Sequence, residues 1–246
     1  MEWRDDGIVL AVRSHGETSA IVELLTSQHG RCLGLVRGGR SRRSRPVLQA
    51  GNIVAAHWHA RLEEHLGNFT LEPIRLQAGF IMDDRFKLAC LGTITALAQI
   101  LPEREPHARL YEASRIIFDA IDDDMVWPML LVRWEMGLLD ELGFGLDLAR
   151  CAATGGVDDL HYVSPRSGKA VSKSAALPYV DRLFELPGFL RGQSDVLVGD
   201  VVAGFRLTGH FLERHVFGPR AVQMPQSRQW LVEELARRNN AANFGS

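Results

Sequence analysis

The chain has 246 residues, of which 46% are hydrophobic, and a formal net charge of −2 at pH 7. Such a chain can bury a substantial core in one large domain or in a few small ones. It has no run of about 18 to 20 apolar residues that would form a membrane span. Its opening residues, Met1–Asp6, lack the apolar stretch of a signal peptide. We therefore expect a cytoplasmic protein.

Short β-like runs separated by turn residues extend from Gly7 to Glu72. The runs are Ile8–Arg13, Ala20–Thr26, Cys32–Val36, Val47–Ala60 and Asn68–Glu72. Five strands with turn signals at intervals of about ten residues predict a small β-barrel, and in a binding protein this suggests an OB-fold. The pattern alone does not separate such a barrel from an SH3-like one.

An arginine-rich segment, residues 31–45, includes the loop after the third predicted strand. It contains six arginines and no acidic residue, although the net charge of the whole chain argues against nucleic acid. Guanidinium groups form paired hydrogen bonds with phosphates, and Gly38 and Gly39 permit close approach of a backbone. The alternative is a solvated loop whose charge has no partner.

The position of this segment within a predicted barrel favours contact with a sugar–phosphate backbone. The residues predicted to make this contact are Arg31, Arg37, Gly38, Gly39, Arg40, Arg42, Arg43 and Arg45.

Beyond Pro73 the apolar residues recur at spacings of three and four, which predicts amphipathic helices. Helices are expected over Leu88–Leu101, Leu110–Ala120, Trp127–Leu142, Val180–Leu186, Asp200–Phe217 and Gln226–Arg238. A polar insert between Cys151 and Ser174 interrupts them, and its pattern predicts one hairpin. The two strands of this hairpin are Leu160–Val163 and Lys169–Ser172.

The motifs of common catalytic sites are missing from the sequence. No glycine-rich phosphate-binding loop is present. His57 and His59 fall on one face of a strand without a carboxylate or cysteine at matching spacing, and Asp122–Asp124 is better explained as a helix cap. We therefore predict a protein that is not an enzyme and needs no cofactor.

Several short motifs occur along the chain in a characteristic order. They are His15–Ser19, Leu25–Thr26, His29–Gly30 and Val36–Arg40 near the start, Glu135, Leu138–Leu139, Leu142–Phe144 and Leu146–Leu148 in the middle, and Arg214, Pro219, Arg228, Leu231 and Leu235 near the end. Together they resemble the bacterial RecO recombination mediators over nearly the whole chain.

The resemblance implies an α+β fold, with an N-terminal five-stranded OB-fold barrel followed by an α-helical domain that carries a small inserted β-hairpin module. We place the OB domain at residues 1–78, the two parts of the helical domain at 79–149 and 175–239, the insert at 150–174 and a frayed tail at 240–246. In many members that insert binds zinc through two C-x-x-C pairs.

This insert departs from the family pattern. It has Cys151-Ala152-Ala153-Thr154 and, in place of the second pair, Ser164-Pro165-Arg166-Ser167. A lone thiolate cannot hold tetrahedral zinc, so we predict no metal. The other cysteines, Cys32 and Cys90, lie far away in the sequence, and three scattered cysteines are typical of a reducing compartment.

The resemblance also implies a function. Members bind single- and double-stranded DNA, anneal complementary strands, engage the acidic C-terminal tail of the single-stranded DNA-binding protein, and work with RecR to load RecA. An apolar pocket ringed by arginine would suit that tail, and Arg133 beside Trp134 is the candidate. An RNA- or ribosome-associated OB protein and a scaffold that binds only proteins are the alternatives.

Overall fold

The computed structural model describes residues 1–62, 64–193 and 196–244. Its internal contacts separate two units, Met1–Asp119 and Ala120–Ser246. The first unit combines the barrel with the three helices that follow it, and the second contains the remaining helices and a small sheet. The fold is α+β, as predicted.

Five strands form the barrel of the first unit: β1 (Glu2–His15), β2 (Ser19–Thr26), β3 (Gly30–Val36), β4 (Ile53–His59) and β5 (Asn68–Arg75). They close in the order β1-β2-β3-β5-β4, with β4 pairing back onto β1. Every pair is antiparallel except β3 with β5. This closed barrel confirms the predicted OB-fold.

Alternating side chains fill the barrel, because successive residues of a strand point to opposite faces. On β3, Cys32, Gly34 and Val36 are buried and the intervening residues are partly exposed. Gly34 is required by packing, since a Cβ there would lie 2.4 Å from the Phe69 ring. Removing one large interior side chain such as Phe69 should cost about 3 to 5 kcal/mol.

The predicted fourth strand begins too early. Residues 47–52 form turns, and β4 starts at Ile53. The buried Asn52 amide explains this, because its Nδ2 donates to the Pro46 and Val47 carbonyls at 2.8 and 3.0 Å while its Oδ1 accepts from the Ala78 N–H at 3.0 Å. These bonds hold the chain in a turn that hydrophobic alternation does not reveal.

Three helices complete the first unit: α1 (Gln77–Phe80), α2 (Arg85–Ala98) and α3 (Ala108–Asp119). Asp84 caps α2 by accepting hydrogen bonds from the Phe86 and Lys87 N–H groups. Arg75 at the end of β5 forms an ion pair with Asp119 and fastens α3 to the barrel. Residues 79–119 thus contact the barrel, whereas the sequence grouped them with the later helices.

Within the described residues, the second unit contains five α-helices and a three-stranded sheet of order β7-β6-β8, together with short helical turns. The helices are α4 (Trp127–Glu141), α5 (Lys173–Ala176), α6 (Val198–Leu212), α7 (Gly218–Arg220) and α8 (Gln226–Phe244), and the strands are β6 (Leu160–Val163), β7 (Ala170–Ser172) and β8 (Phe184–Glu185). The short turns are the 3-10 helices Leu177–Arg182 and Gly188–Arg191 and the π-helix Glu213–Phe217.

Two predictions in this unit need correction. The stretch Val180–Leu186 is not one α-helix, because a 3-10 helix ends at Arg182 and Phe184–Glu185 pairs with β6 as a third strand beside the predicted hairpin. The last helix also continues past the predicted end at Arg238 to Phe244.

A buried ion pair joins three helices of the second unit. Arg228 of α8 binds Glu135 of α4 through two hydrogen bonds of 2.7 and 2.9 Å, and both side chains are excluded from solvent. Thr208 of α6 donates to the same carboxylate at 2.5 Å, and Arg228 also donates to the Phe205 carbonyl at 2.9 Å. The pair satisfies its hydrogen bonds within the core, as buried charges require.

Candidate nucleic-acid interface

The chain leaves β3 at Val36 and enters a series of hydrogen-bonded turns. We call residues 37–45 the arginine turn. Ser44 Oγ donates to the Gly38 carbonyl at 3.1 Å and lies 2.9 Å from Ser41 Oγ, whose oxygen also accepts from the Ser44 N–H. These bonds give the segment a defined backbone from which side chains extend.

The two glycines of the arginine turn have different structural roles. Gly38 has φ of +68°, a conformation that side-chain-bearing residues rarely adopt. Gly39 packs closely on β2, where a Cβ would lie 2.8 Å from the Ala20 Cβ. The glycines therefore shape the turn, and Gly39 is buried rather than open to a ligand.

Five arginines of the turn are exposed: Arg37, Arg40, Arg42, Arg43 and Arg45. None of them forms an ion pair with another residue that the structure describes. Arg40 donates to the Gly16 and Glu17 carbonyls at 2.8 and 2.9 Å, which orients its guanidinium without neutralising it. The turn therefore presents a concentrated positive charge to solvent.

Arg31 does not belong to this group, although the sequence placed it there. It lies on β3, where its Nη1 contacts Glu23 Oε1 at 2.5 Å and its Nη2 contacts Glu103 Oε1 at 3.4 Å. Its Nε donates to the Leu101 carbonyl at 2.6 Å. Arg31 is therefore paired with acidic residues of the same unit, unlike the arginines of the turn, and its predicted DNA contact stays a prediction.

Two clefts flank the arginine turn. One, of about 330 Å³, has Arg37 on one side and His59, Asn68 and Thr70 on the other. A second, of about 200 Å³, is lined in part by Arg40 and Arg45. The polar groups beside Arg37 come from β4 and β5, and sequence reasoning missed them because β3 and β5 become neighbours only when the barrel closes.

The two residues predicted to receive a partner tail differ in accessibility. Arg133 is exposed, and its Nη2 donates to the Phe189 carbonyl at 2.5 Å. Trp134 is only 1% exposed because its side of α4 faces the core of the unit. Arg133 is therefore accessible to a partner segment in this structure, whereas the Trp134 ring is not.

The insert has a hydroxyl cluster around its single cysteine. Cys151 is buried, with its Sγ 3.4 Å from Ser172 Oγ and accepting from the Ser172 N–H at 3.3 Å. Hydrogen bonds from Ser172 and Thr154 lower the pKa of Cys151 to about 6, against the opposing effect of burial. The polar neighbour of Cys151 is therefore Ser172, and not the segment 164–167 that replaces the second C-x-x-C pair of the family. In that segment the Pro165 carbonyl accepts hydrogen bonds from His210 and Arg214.

These residues do not fit a zinc ion, because one cysteine sulfur and two hydroxyls fall short of the four Cys or His donors that structural tetrahedral zinc prefers. Within residues 1–62, 64–193 and 196–244, no group of three or more His, Cys, Asp or Glu side chains is arranged to hold a metal. Over the same residues, no helix is long and apolar enough to cross a membrane.

Comparison with known proteins covers nearly the whole chain. Residues 1–76 match the family model for the N terminal of recombination protein O, and residues 82–223 match the model for its C terminal. The DNA repair protein RecO of Methylorubrum extorquens (strain PA1) is 51% identical over 239 residues, which span 94% of this chain and 97% of the relative.

Relatives from two other organisms agree. The DNA repair protein RecO of Rhodospirillum centenum is 51% identical over 247 residues, covering 99% of this chain and 98% of its own length. That of Brucella abortus (strain 2308) is 48% identical over 242 residues, covering 98% of each chain. With both family models matched in order on a closed five-stranded barrel and a helical unit, the chain belongs to the RecO family.

Proposed function

We propose that this protein is a non-catalytic DNA-repair mediator that binds single- and double-stranded DNA through the arginine turn. The observation that carries the proposal is the set of five exposed arginines without acidic partners among the described residues. The relatives, which are named as DNA repair proteins, support the choice of DNA as the ligand. The binding surface comprises Arg37, Arg40, Arg42, Arg43 and Arg45, with Gly38 and Gly39 shaping the backbone.

Phosphate neutralisation is the physical basis of this binding. Each guanidinium that contacts a phosphate releases condensed counterions, so the affinity falls as salt rises, with a slope in log–log form of about −0.7 per contact on a single strand. Contacts of this kind carry no sequence information. Neutralising two strands at once lowers their repulsion, and on this basis we propose that the protein promotes annealing of complementary strands.

The proposal extends to protein partners that the family resemblance implies. They are RecR, with which the protein would help to load RecA onto gapped DNA, and the acidic C-terminal tail of the single-stranded DNA-binding protein. Arg133 remains the candidate contact for the tail because it is exposed on α4. Replacing Arg133 by Ala and by Lys, and measuring the affinity for a peptide of that tail, would test the contact, since Lys retains the charge and Ala does not.

The DNA contact is tested with a triple variant, Arg42→Ala/Arg43→Ala/Arg45→Ala. Loss of three phosphate contacts should weaken binding of a labelled single strand and flatten the log–log salt slope by about 2. Fluorescence anisotropy at several salt concentrations measures both quantities. The matched control, Arg61→Ala/Arg109→Ala/Arg206→Ala, removes the same charge from exposed positions elsewhere and should leave the slope unchanged.

Equal effects of the two triple variants on DNA affinity and salt slope would show that the arginine turn has no special role in DNA binding.

Competition with structured RNA is a second experiment, because a protein adapted to RNA reads the 2′-hydroxyl and the A-form shape. Displacement of DNA by a lower concentration of structured RNA would favour an RNA-associated function. Absence of salt-dependent retention of any oligonucleotide would favour a scaffold that binds only proteins.

A further inference from the structure

Three rings form a ladder at the end of the barrel where β3 begins. The Trp3 ring stacks on the His29 ring with centroids 4.2 Å apart and planes 9° apart, and on the Trp58 ring at 5.7 Å and 14°. Phe69 meets Trp3 edge-on at 5.9 Å. His29 is the outermost member by exposure, with 34% of its side chain accessible, whereas Trp58 is buried.

A cavity of about 360 Å³ lies against this ladder. Its apolar wall is formed by Met1, Trp3, Trp58, Leu33 and Cys32, and its polar groups are Glu2, Gln28, His29 and Arg104. Burial raises the pKa of Cys32 to about 11, so the thiol is neutral and adds no charge to the wall. An apolar wall with polar groups at its edge is typical of a small-molecule site, and the flat rings of this wall suit a flat ligand.

The ladder is held in place before any ligand arrives. Trp3 and Trp58 are directly opposite each other on β1 and β4, and Trp58 Nε1 donates to the Leu66 carbonyl at 3.1 Å. Gly67 packs on the Trp58 ring so closely that a Cβ would lie 2.3 Å from its Nε1. The His29 Nδ1 lies 3.1 Å from the Asp5 carboxylate, which fixes the orientation of the outer ring.

Arg104 brings a cation to the cavity through a strained backbone. Its φ of +64° is uncommon for a residue with a side chain, and its N–H donates to the Arg31 carbonyl at 2.8 Å. Its Nη2 donates to the His65 carbonyl at 2.9 Å, and no described acidic residue forms an ion pair with it. Strain of this kind concentrates at ligand-binding positions.

The cavity and the arginine turn adjoin the same strand. Leu33 lines the cavity, and Arg37 directly follows Val36, the last residue of β3, so at about 3.3 Å per residue the two residues lie no more than about 13 Å apart. That distance corresponds to about four nucleotides of a stacked strand. One DNA single strand can therefore contact both the cavity and the arginine turn.

We propose that this cavity binds one unstacked base of a single DNA strand, which adds a ring to the ladder at His29 while neighbouring phosphates contact Arg104 and the arginine turn. The proposal rests on the proposed DNA-binding function and adds a site to it. A base is suited to the ladder because every base offers a flat π-face, and stacking on aromatic side chains is tolerant of sequence. Duplex bases are already stacked and cannot enter.

The test compares the affinity for an oligothymidylate of 15 nucleotides with the affinity for an abasic oligonucleotide of the same length, which has the phosphates but no bases. The wild-type protein should bind the oligothymidylate about tenfold more tightly, the effect expected of one stacked base. His29→Ala should reduce this ratio towards one without changing the affinity for the abasic chain. His29→Phe, which keeps a flat ring and also lacks the bond to Asp5, should restore the ratio.

Intrinsic tryptophan fluorescence gives an independent readout, because the oligothymidylate should quench Trp3 and the abasic chain should not. The quench should be missing in Trp3→Phe. The triple variant of the arginine turn should weaken both oligonucleotides equally and leave their ratio intact.

A wild-type ratio of one would overturn the base site while leaving the proposed function standing, since the abasic chain would still bind. Unchanged discrimination in His29→Ala would also overturn it. If the folded protein bound neither oligonucleotide, the proposed DNA-binding function would fail and this site with it.

Discussion

The guanidinium group of Arg228, in the second unit, is buried, whereas those of the arginine turn, in the first unit, are exposed to solvent. Arg228 is buried and donates to Glu135 and to the Phe205 carbonyl. The arginines of the turn are exposed and lack ionic partners among the described residues. The difference teaches that a guanidinium whose partners are inside the protein stabilises the fold, whereas one without them is available to a ligand.

Arg31 shows that position in the sequence does not decide which of these two roles an arginine has. It belongs to the same run of sequence as the turn, yet it forms an ion pair with the buried Glu23. We therefore expect its replacement to affect stability and not DNA binding. The following predictions run from the largest expected effect to the smallest.

Glu135→Leu should lower the free energy of unfolding by about 3 to 5 kcal/mol, because Arg228 would remain buried without its counter-charge. Urea denaturation followed by circular dichroism measures the loss. The double variant Glu135→Leu/Arg228→Met is the control and should be more stable than Glu135→Leu alone. If the double variant were the less stable of the two, the unpaired charge would not be the cause.

Arg31→Ala should lower the free energy of unfolding by about 1 to 3 kcal/mol, because the buried Glu23 loses a charged hydrogen-bond partner. Its affinity for single-stranded DNA and its salt slope should match those of the wild type when both proteins are fully folded. A slope flattened by about 0.7, the value for one lost phosphate contact on a single strand, would return Arg31 to the DNA-binding group.

Arg42→Ala/Arg43→Ala/Arg45→Ala should change the free energy of unfolding by no more than about 0.5 kcal/mol, since these side chains are exposed and form no ion pair with a described residue. The same protein should show the weakened DNA binding described above. Parallel urea and anisotropy measurements separate the two properties, and a large loss of stability would mean that the turn supports the barrel.

The smallest effect is expected at Glu234, which binds Arg237 and Arg238 on the surface of α8. Hydrogen bonds from these two arginines lower the pKa of Glu234 to about 2. Because the pKa of Glu234 is lower in the folded protein than in the unfolded chain, its ion pairs stabilise the folded state at pH values above the unfolded pKa. This stabilisation is lost as the pH falls towards 2. A carboxyl titration by NMR should show the lowered pKa, and Glu234→Gln should leave the melting temperature nearly unchanged at neutral pH because solvent screens exposed pairs.

Much of the fold could be predicted from local patterns. The two-residue alternation identified β2 and β3 within two residues of their ends, and the three- and four-residue spacing identified α2, α3 and α4. The errors fall where a distant partner overrides the pattern. Asn52 holds residues 47–52 in turns through a hydrogen bond with Ala78, and Phe184–Glu185 becomes a strand because β6 offers an edge.

The sequence by itself determined the family, the order of barrel and helices, and the concentration of arginine after β3, because these depend on short-range patterns and composition. Only the tertiary structure decided which arginines are available. Glu103 lies 72 positions from Arg31, and the Trp134 ring is buried by the packing of α4. Trp3, His29 and Trp58 likewise meet only in the closed barrel, since stacking and charge neutralisation depend on distances that folding alone sets.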